Sequence, residues 1–187
     1  PGDIKYKDLN HDGVIDSNDQ APIGYNPVPE MTFSLAAGLN WKGIDFSILL
    51  QGAARSSIYL QQDIAWDNFW GNYYEEHIGR WTPETAATAT YPRFTKAATP
   101  AHPNYYKSDY WLKDSKYLRL KNIQLGYTIP RKLLKKFGVR SLRVYANAYN
   151  LFTWDNVKKV DPESSNNSNG QFYPQQKVIN FGINLNF

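Results

Sequence analysis

A chain of 187 residues and 21.5 kDa without cysteine excludes a disulfide framework and a thiolate metal site. Its 21 basic against 17 acidic side chains leave a net charge of only +4, too small and too scattered to imply nucleic acid. Mean hydropathy is −0.59, and no stretch reaches the roughly 18 apolar residues of a membrane helix; that excludes a helical membrane protein but not one built from strands.

The first predicted element is a metal loop within residues 1–30. Asp8, Asn10, Asp12, Gly13, Asp16 and Asp19 follow the pattern D-x-N-x-D-G-x-x-D-x-x-D. Calcium takes about six to eight hard oxygens, and a loop of this register offers them at alternate positions. The expected ligands are Asp8, Asn10, Asp12, the carbonyl of Val14, Asp16 and Asp19, with Ile15 turned inward as an anchor. Asp19 stands where an EF-hand commonly has Glu, and Pro22 and Pro27 argue against a following helix. Calcium here would be structural. His11 is expected to face solvent.

Residues 31–51 read as a β-hairpin. Met31, Phe33, Leu35, Ala37, Leu39 and Trp41 share one side of the first strand, and Ile44, Phe46, Ile48 and Leu50 share one side of the second. Lys42-Gly43 is the tight turn between them. The opposite sides are small and polar.

Residues 52–116 form a long loop with one possible short helix around 57–74. Its aromatics are interleaved with carboxylates, and Trp66, Trp70, Tyr73 and Trp81 are candidates for a substrate or partner surface. Packing of these rings within the loop itself is the competing reading. No Ser/His/Asp arrangement or phosphate-binding glycine loop is present, His77 and His102 read as ordinary loop residues, and the chain is not expected to be an enzyme.

Residues 117–187 supply three more strands. In Tyr117–Tyr127, Leu118 and Leu120 are out of phase with Ile123, Leu125 and Tyr127, which predicts a bulge near Lys121-Asn122. Residues 129–140 make a basic connection, in which Pro130 opens one helical turn with Leu133, Leu134 and Phe137 on its apolar side. Ser141–Leu151 alternates Leu142, Val144, Ala146 and Ala148 against Arg143, Tyr145, Asn147 and Tyr149. A polar loop at 153–177, tipped by SSNNSNG, leads to Val178–Phe187. There Phe181, Ile183, Leu185 and Phe187 oppose Asn180, Gly182, Asn184 and Asn186. Asparagine and glycine are poor strand formers on a water-facing sheet but suit a hydrated barrel interior, with hydrocarbon on the other side. The fold class expected is all-β: an antiparallel transmembrane β-barrel segment with long extracellular loops and short periplasmic connections.

YLRLKNIQLGYTIP, SLRVYANAYNLFTW, the DPE at 161–163, the YPQQ at 173–176, the closing NFGINLNF and the early GDIKYKDLNHDGVID together resemble the C-terminal end of SusC/RagA-type TonB-dependent outer-membrane receptors. The resemblance implies that this is a C-terminal fragment supplying the last strands of a 22-stranded barrel. It also implies nutrient import, of glycan or peptide, with a SusD-like surface lipoprotein and with TonB reached through a part outside these residues. Localisation in the outer membrane, in contact with membrane lipid, goes with it. The alternative from another class is a secreted, calcium-stabilised β-domain that binds carbohydrate or protein.

Overall fold

The computed structural model describes residues 1–96, 99–158, 160–164 and 173–187. Most of the SSNNSNG tip lies outside the described residues. Seven strands run in chain order among them: β1 (Met31–Trp41), β2 (Ile44–Ala54), β3 (Ser57–Tyr59), β4 (Leu112–Asp114), β5 (Tyr117–Thr128), β6 (Ser141–Asp155) and β7 (Val178–Asn186). The chain divides into two compact units.

The larger unit is a five-stranded antiparallel sheet in the order β1-β2-β5-β6-β7. Lys42 and Gly43 both take positive φ, 48° and 89°, the backbone of a type I′ turn whose twist matches the strands it joins. The register then follows from the pattern: Leu35 pairs with Leu50, Leu50 with Leu120, and Ala146 with Phe181. Each apolar set falls on the same side, and many of its members, Leu35, Leu39, Trp41, Phe181 and Ile183 among them, are exposed. A soluble sandwich hides such a face under a second sheet. In hydrocarbon, each large side chain gains about 1.5–3 kcal/mol relative to water.

The phase break in β5 is resolved as the sequence requires. Leu49 pairs with Asn122 and Leu50 with Leu120, so Lys121 is an extra residue, and Leu118 and Leu120 rejoin the apolar side beyond it. On the other edge of β5, Leu120 faces Phe152 and Asn122 faces Tyr149, so Asn150 and Leu151 oppose Lys121 alone. Asn150 absorbs the bend with a φ of 51°. Strand β6 runs four residues past the predicted end at Leu151, carrying Phe152 and Trp154 on the apolar side.

The opposite face is polar and closely fitted. Arg143 on β6 makes a two-pronged ion pair with Asp45 on β2, passing over Gly126 of the strand between them. A Cβ on Gly126 would stand 2.5 Å from both partners. The ring of Tyr145 lies across Gly182 in the same way, at 2.3 Å from an added Cβ. Asn180 donates to the side chain of Asn147 at 3.0 Å and Asn186 to the hydroxyl of Ser141 at 2.7 Å, so hydrogen bonds between neighbouring strands replace the packing that asparagine lacks.

Between β5 and β6 lies α1 (Arg131–Leu134), continued by a short 3₁₀ turn and ended by Gly138 at a φ of 68°. Pro130 caps the helix from one residue outside it. Only Leu134 of the expected apolar side is buried; Leu133 and Phe137 are exposed. A single turn exposes most of its circumference, so it covers only one of the three.

The second unit joins residues 1–27 with 57–114, two segments expected to be separate loops. The helix expected around 57–74 does not form. Residues 57–59 pair instead with β4, Gln62–Ile64 make one 3₁₀ turn, and Asn68, Trp70 and Gly71 take positive φ. Polar and aromatic residues without helical periodicity leave the backbone to side-chain hydrogen bonds and tight turns.

Candidate functional site

In the smaller unit, the aromatic run builds a core of its own. Trp66, Tyr91, Tyr105 and Trp111 are buried, with Trp66 and Tyr105 ring centroids 4.7 Å apart. At the centre lies Asp67, fully buried. Its Oδ2 accepts from the Thr95 N–H at 2.9 Å, and its Oδ1 accepts from the hydroxyls of Tyr91 and Tyr105. Burial pushes both phenols well above their ordinary range, so they remain protonated donors. A buried carboxylate is tolerable only with such a set of donors. His77 is buried as well. Its Nδ1 accepts from the Tyr74 N–H at 3.1 Å and its Nε2 faces the Ala65 carbonyl at 3.2 Å, which together select the neutral Nε2–H form.

Trp66 therefore does not belong to a surface. It is 3% exposed, whereas Trp70 is 84% exposed and Tyr73 is exposed beside Phe94. Trp81 lies over Gly2, where an added Cβ would meet its ring at 2.5 Å. The residues that begin the chain are strapped to this core. Arg93 grips the Asp3 carboxylate at 2.7 and 2.9 Å, and the buried Asn104 donates to Asp3 while accepting from the Ile4 N–H.

The acidic loop follows that strap. Asp8 accepts from the N–H groups of His11 and Gly13, Asp12 from Val14, and Asp19 from Leu9 and Asp16. Gly13 has a φ of 85°, and these carboxylates curl the backbone around themselves. Backbone donors from Asp16 and Leu9 hold the Asp19 carboxyl below its ordinary range, keeping it ionised. His11 faces solvent. Ile15 is exposed and does not anchor the loop. Among the described residues no three or more His, Cys, Asp or Glu side chains converge as a formed metal cluster.

A site that sequence reasoning missed gathers the recurring motifs of the larger unit. Arg119, from YLRLKNI, is 1% exposed. Its Nε donates to Thr153 at 2.9 Å, one terminal nitrogen to Glu163 at 2.9 Å and the other to Asp161 at 2.8 Å. Tyr117 donates to the second oxygen of Glu163, and Gln175 of the YPQQ stretch donates to Glu163 at 2.7 Å. Thus YLRLKNI, DPE and YPQQ are three parts of one clasp, pinning both ends of a loop to the polar side of the wall. The sequence signal was an arginine alternating onto the same face as Asn122 and Gln124, with an acidic pair some forty residues on.

A sheet with an exposed apolar stripe and a polar inner face tied by the Arg143–Asp45 and Asn180–Asn147 pairs defines a segment of an outer-membrane β-barrel. No family model matches the chain. It is 30% identical over its whole length to TonB-dependent receptor P26 of Formosa agariphila, and 26% identical to TonB-dependent receptor SusC of Bacteroides thetaiotaomicron. It covers 20% and 18% of those proteins, so it spans about a fifth of the length of the curated relatives it matches. The solved RagAB peptide importer in its open-open state shares the fold over 93% of this chain and 19% of its own, with a TM-score of 0.70 at 23% identity. The chain is thus similar over its whole length to TonB-dependent receptors, SusC among them, and shares its fold with RagAB.

Proposed function

We propose that the chain supplies wall and cell-surface loops to an importer of glycan or peptide that works with TonB and with a SusD-like surface lipoprotein. The observation that carries this is the two-sided sheet: an apolar stripe continuous over five strands, backed by a polar face linked across strands by Arg143–Asp45 and Asn180–Asn147. The names of the relatives, TonB-dependent receptor and SusC, support the coupling. The shared fold with RagAB, a peptide importer, supports peptide as one cargo class. In this reading the Lys42-Gly43 turn and residues 129–140 face the periplasm, and residues 52–116 and 153–177 are extracellular loops.

The acidic loop is proposed to hold calcium as a structural ion. Asp8, Asn10, Asp12, the Val14 carbonyl, Asp16 and Asp19 are all oxygen donors, four of them carboxylates, which suits a hard cation. Bound there, calcium would neutralise carboxylates that otherwise repel one another within one short turn. Calcium in place of a chelator is expected to protect residues 8–19 from protease, and equal cleavage in both would exclude the ion.

An antibody against residues 178–187 tests the main reading. A species of roughly 100 kDa or more in the outer-membrane fraction, room for about 22 strands and a plug, is the expected result. A soluble secreted species near 21.5 kDa would refute it.

A further inference from the structure

The end of the sheet that carries the Lys42-Gly43 turn gathers cations beside an apolar boundary. On the apolar side, Trp41, Ile44, Tyr127, Val144 and Ile183 form one cross-strand row, and all five are exposed. Just beyond Tyr127 the chain passes from β5 to β6 through residues 129–140, where Arg131, Lys132, Lys135, Lys136 and Arg140 are all exposed. Lys42 is exposed as well, its ammonium 4.9 Å from the centre of the Trp41 ring. Among the described residues none of these six cations makes an ion pair. No Asp or Glu occurs among residues 115–154, and Asp45, beside the same turn, is already held by Arg143. Arg131 and Lys135, and likewise Lys132 and Lys136, stand four residues apart, a spacing at which like charges on a helical turn repel. The turn is also amphipathic. Leu134 is buried and α1 lies against β6, while Leu133 and Phe137, again four apart, are 65% and 76% exposed.

We propose that this basic turn is an interfacial anchor for anionic phospholipid headgroups in the leaflet that faces the periplasm. Leu133 and Phe137 enter the boundary between headgroups and acyl chains, and the ammonium and guanidinium groups meet the phosphates there. The inference rests on the importer reading, which turns residues 129–140 to the periplasm. Two features select this occupant. An anionic surface supplies the counter-charge that the six cations lack and relieves the repulsion within the turn, which a zwitterionic surface does not. The turn also follows directly on a row that contains Trp41 and Tyr127, amphipathic rings of the kind that sit at headgroup level. A short basic segment with exposed apolar side chains has the composition of one that lies on a membrane rather than across it. Lysine and arginine suit that depth, because their alkyl stems rest on apolar surface while their charges stay at the headgroups.

The test is hydrogen exchange of the full-length receptor in lipid nanodiscs of phosphatidylcholine, with and without phosphatidylglycerol as the anionic probe. Amides of residues 131–138 are expected to exchange about tenfold slower in the anionic discs, whereas those of β1 and β7 exchange equally in both. The variant carrying Lys132→Gln, Lys135→Gln and Lys136→Gln is expected to lose that difference while keeping its heat-modifiable mobility. Leu133→Ser with Phe137→Ser, which leaves every charge in place, is expected to lose it too. Exchange within twofold in the two lipids, or either variant keeping the full difference, would overturn the proposal. So would protection that polyglutamate confers in phosphatidylcholine discs and phosphatidylglycerol does not, which would assign the surface to an acidic protein segment. Labelling of Lys136→Cys in intact cells, by a thiol reagent that cannot cross the outer membrane, would overturn the importer orientation together with this inference. A receptor shielded at that position in intact cells, yet indifferent to headgroup charge, would overturn this inference alone.

Discussion

Replacing Arg119 with methionine removes the centre of the clasp while keeping most of its volume. Asp161 and Glu163 are then left with their side chains 11% and 23% exposed and without their guanidinium partner. Removing one member of a buried ion pair costs about 3–5 kcal/mol, and the partial exposure of Glu163 places this case at the lower end, about 3 kcal/mol. If that loss falls on the local equilibrium holding residues 155–164, the open population rises by about a hundredfold, since 1.4 kcal/mol is a factor of ten. Hydrogen exchange on the detergent-purified receptor reads this directly. Amides of residues 153–163 should exchange about a hundredfold faster, while those of β1 and β7 change little. Adding Glu163→Gln to Arg119→Met should recover part of the loss, because a neutral amide is cheaper to leave unpaired than a carboxylate. Exchange within twofold of wild type in the single variant would refute the view that the clasp holds the loop.

Asp67→Asn keeps the shape of the central carboxylate but places an amide against the hydroxyls of Tyr91 and Tyr105; thermal proteolysis of residues 57–114 should report a loss of about 1–3 kcal/mol. Gly126→Ala forces a Cβ into the Arg143–Asp45 pair, and the fraction of heat-modifiable folded barrel recovered from membranes should fall, by about 1–3 kcal/mol of overpacking. The strap at Asp3 should depend on pH in one direction. The hydrogen bond from Arg93, the largest cause, holds the Asp3 carboxyl below its ordinary 3.8, so its contribution is present above that value and disappears as the pH falls through the lower folded value. Arg93 stays charged throughout, so Asp3 is the titrating partner. Cleavage near residues 3–6 should be unchanged between pH 7 and 5 and rise only below about 4, and Asp3→Asn should abolish that rise.

The sheet was legible because a period of two is a local property. Each strand carries its own assignment of sides, and even the break at Leu118 and Leu120 announced the extra residue at Lys121. The turn at Lys42-Gly43 was legible for the same reason. Trp66 was misplaced because exposure is not local: the rings that cover it, Phe69 and Tyr105, include one thirty-nine residues away, and no spacing rule links them. The same holds for Ile15, which pattern places inside and the fold leaves out. Arg119 went unnoticed because an arginine on a polar strand face is ordinary until Asp161 and Glu163 return to it. Asp67 and His77 likewise read as loop polarity until the surrounding tyrosines and backbone groups were in place. The grouping of residues 1–27 with 57–114 depends on Arg93, Asn104 and Ser57 holding partners far away in the chain.

Gly126 and Gly182 have a consequence for clearance. By leaving slots in the inner face, they let Arg143 and Tyr145 lie down across neighbouring strands instead of standing up from their own. The two largest groups on this part of the inner lining therefore take up little more than their own thickness. A bulkier residue in either slot would tilt one of them upright and narrow whatever space the wall encloses, without altering a single charge or hydrogen-bonding group on the chain.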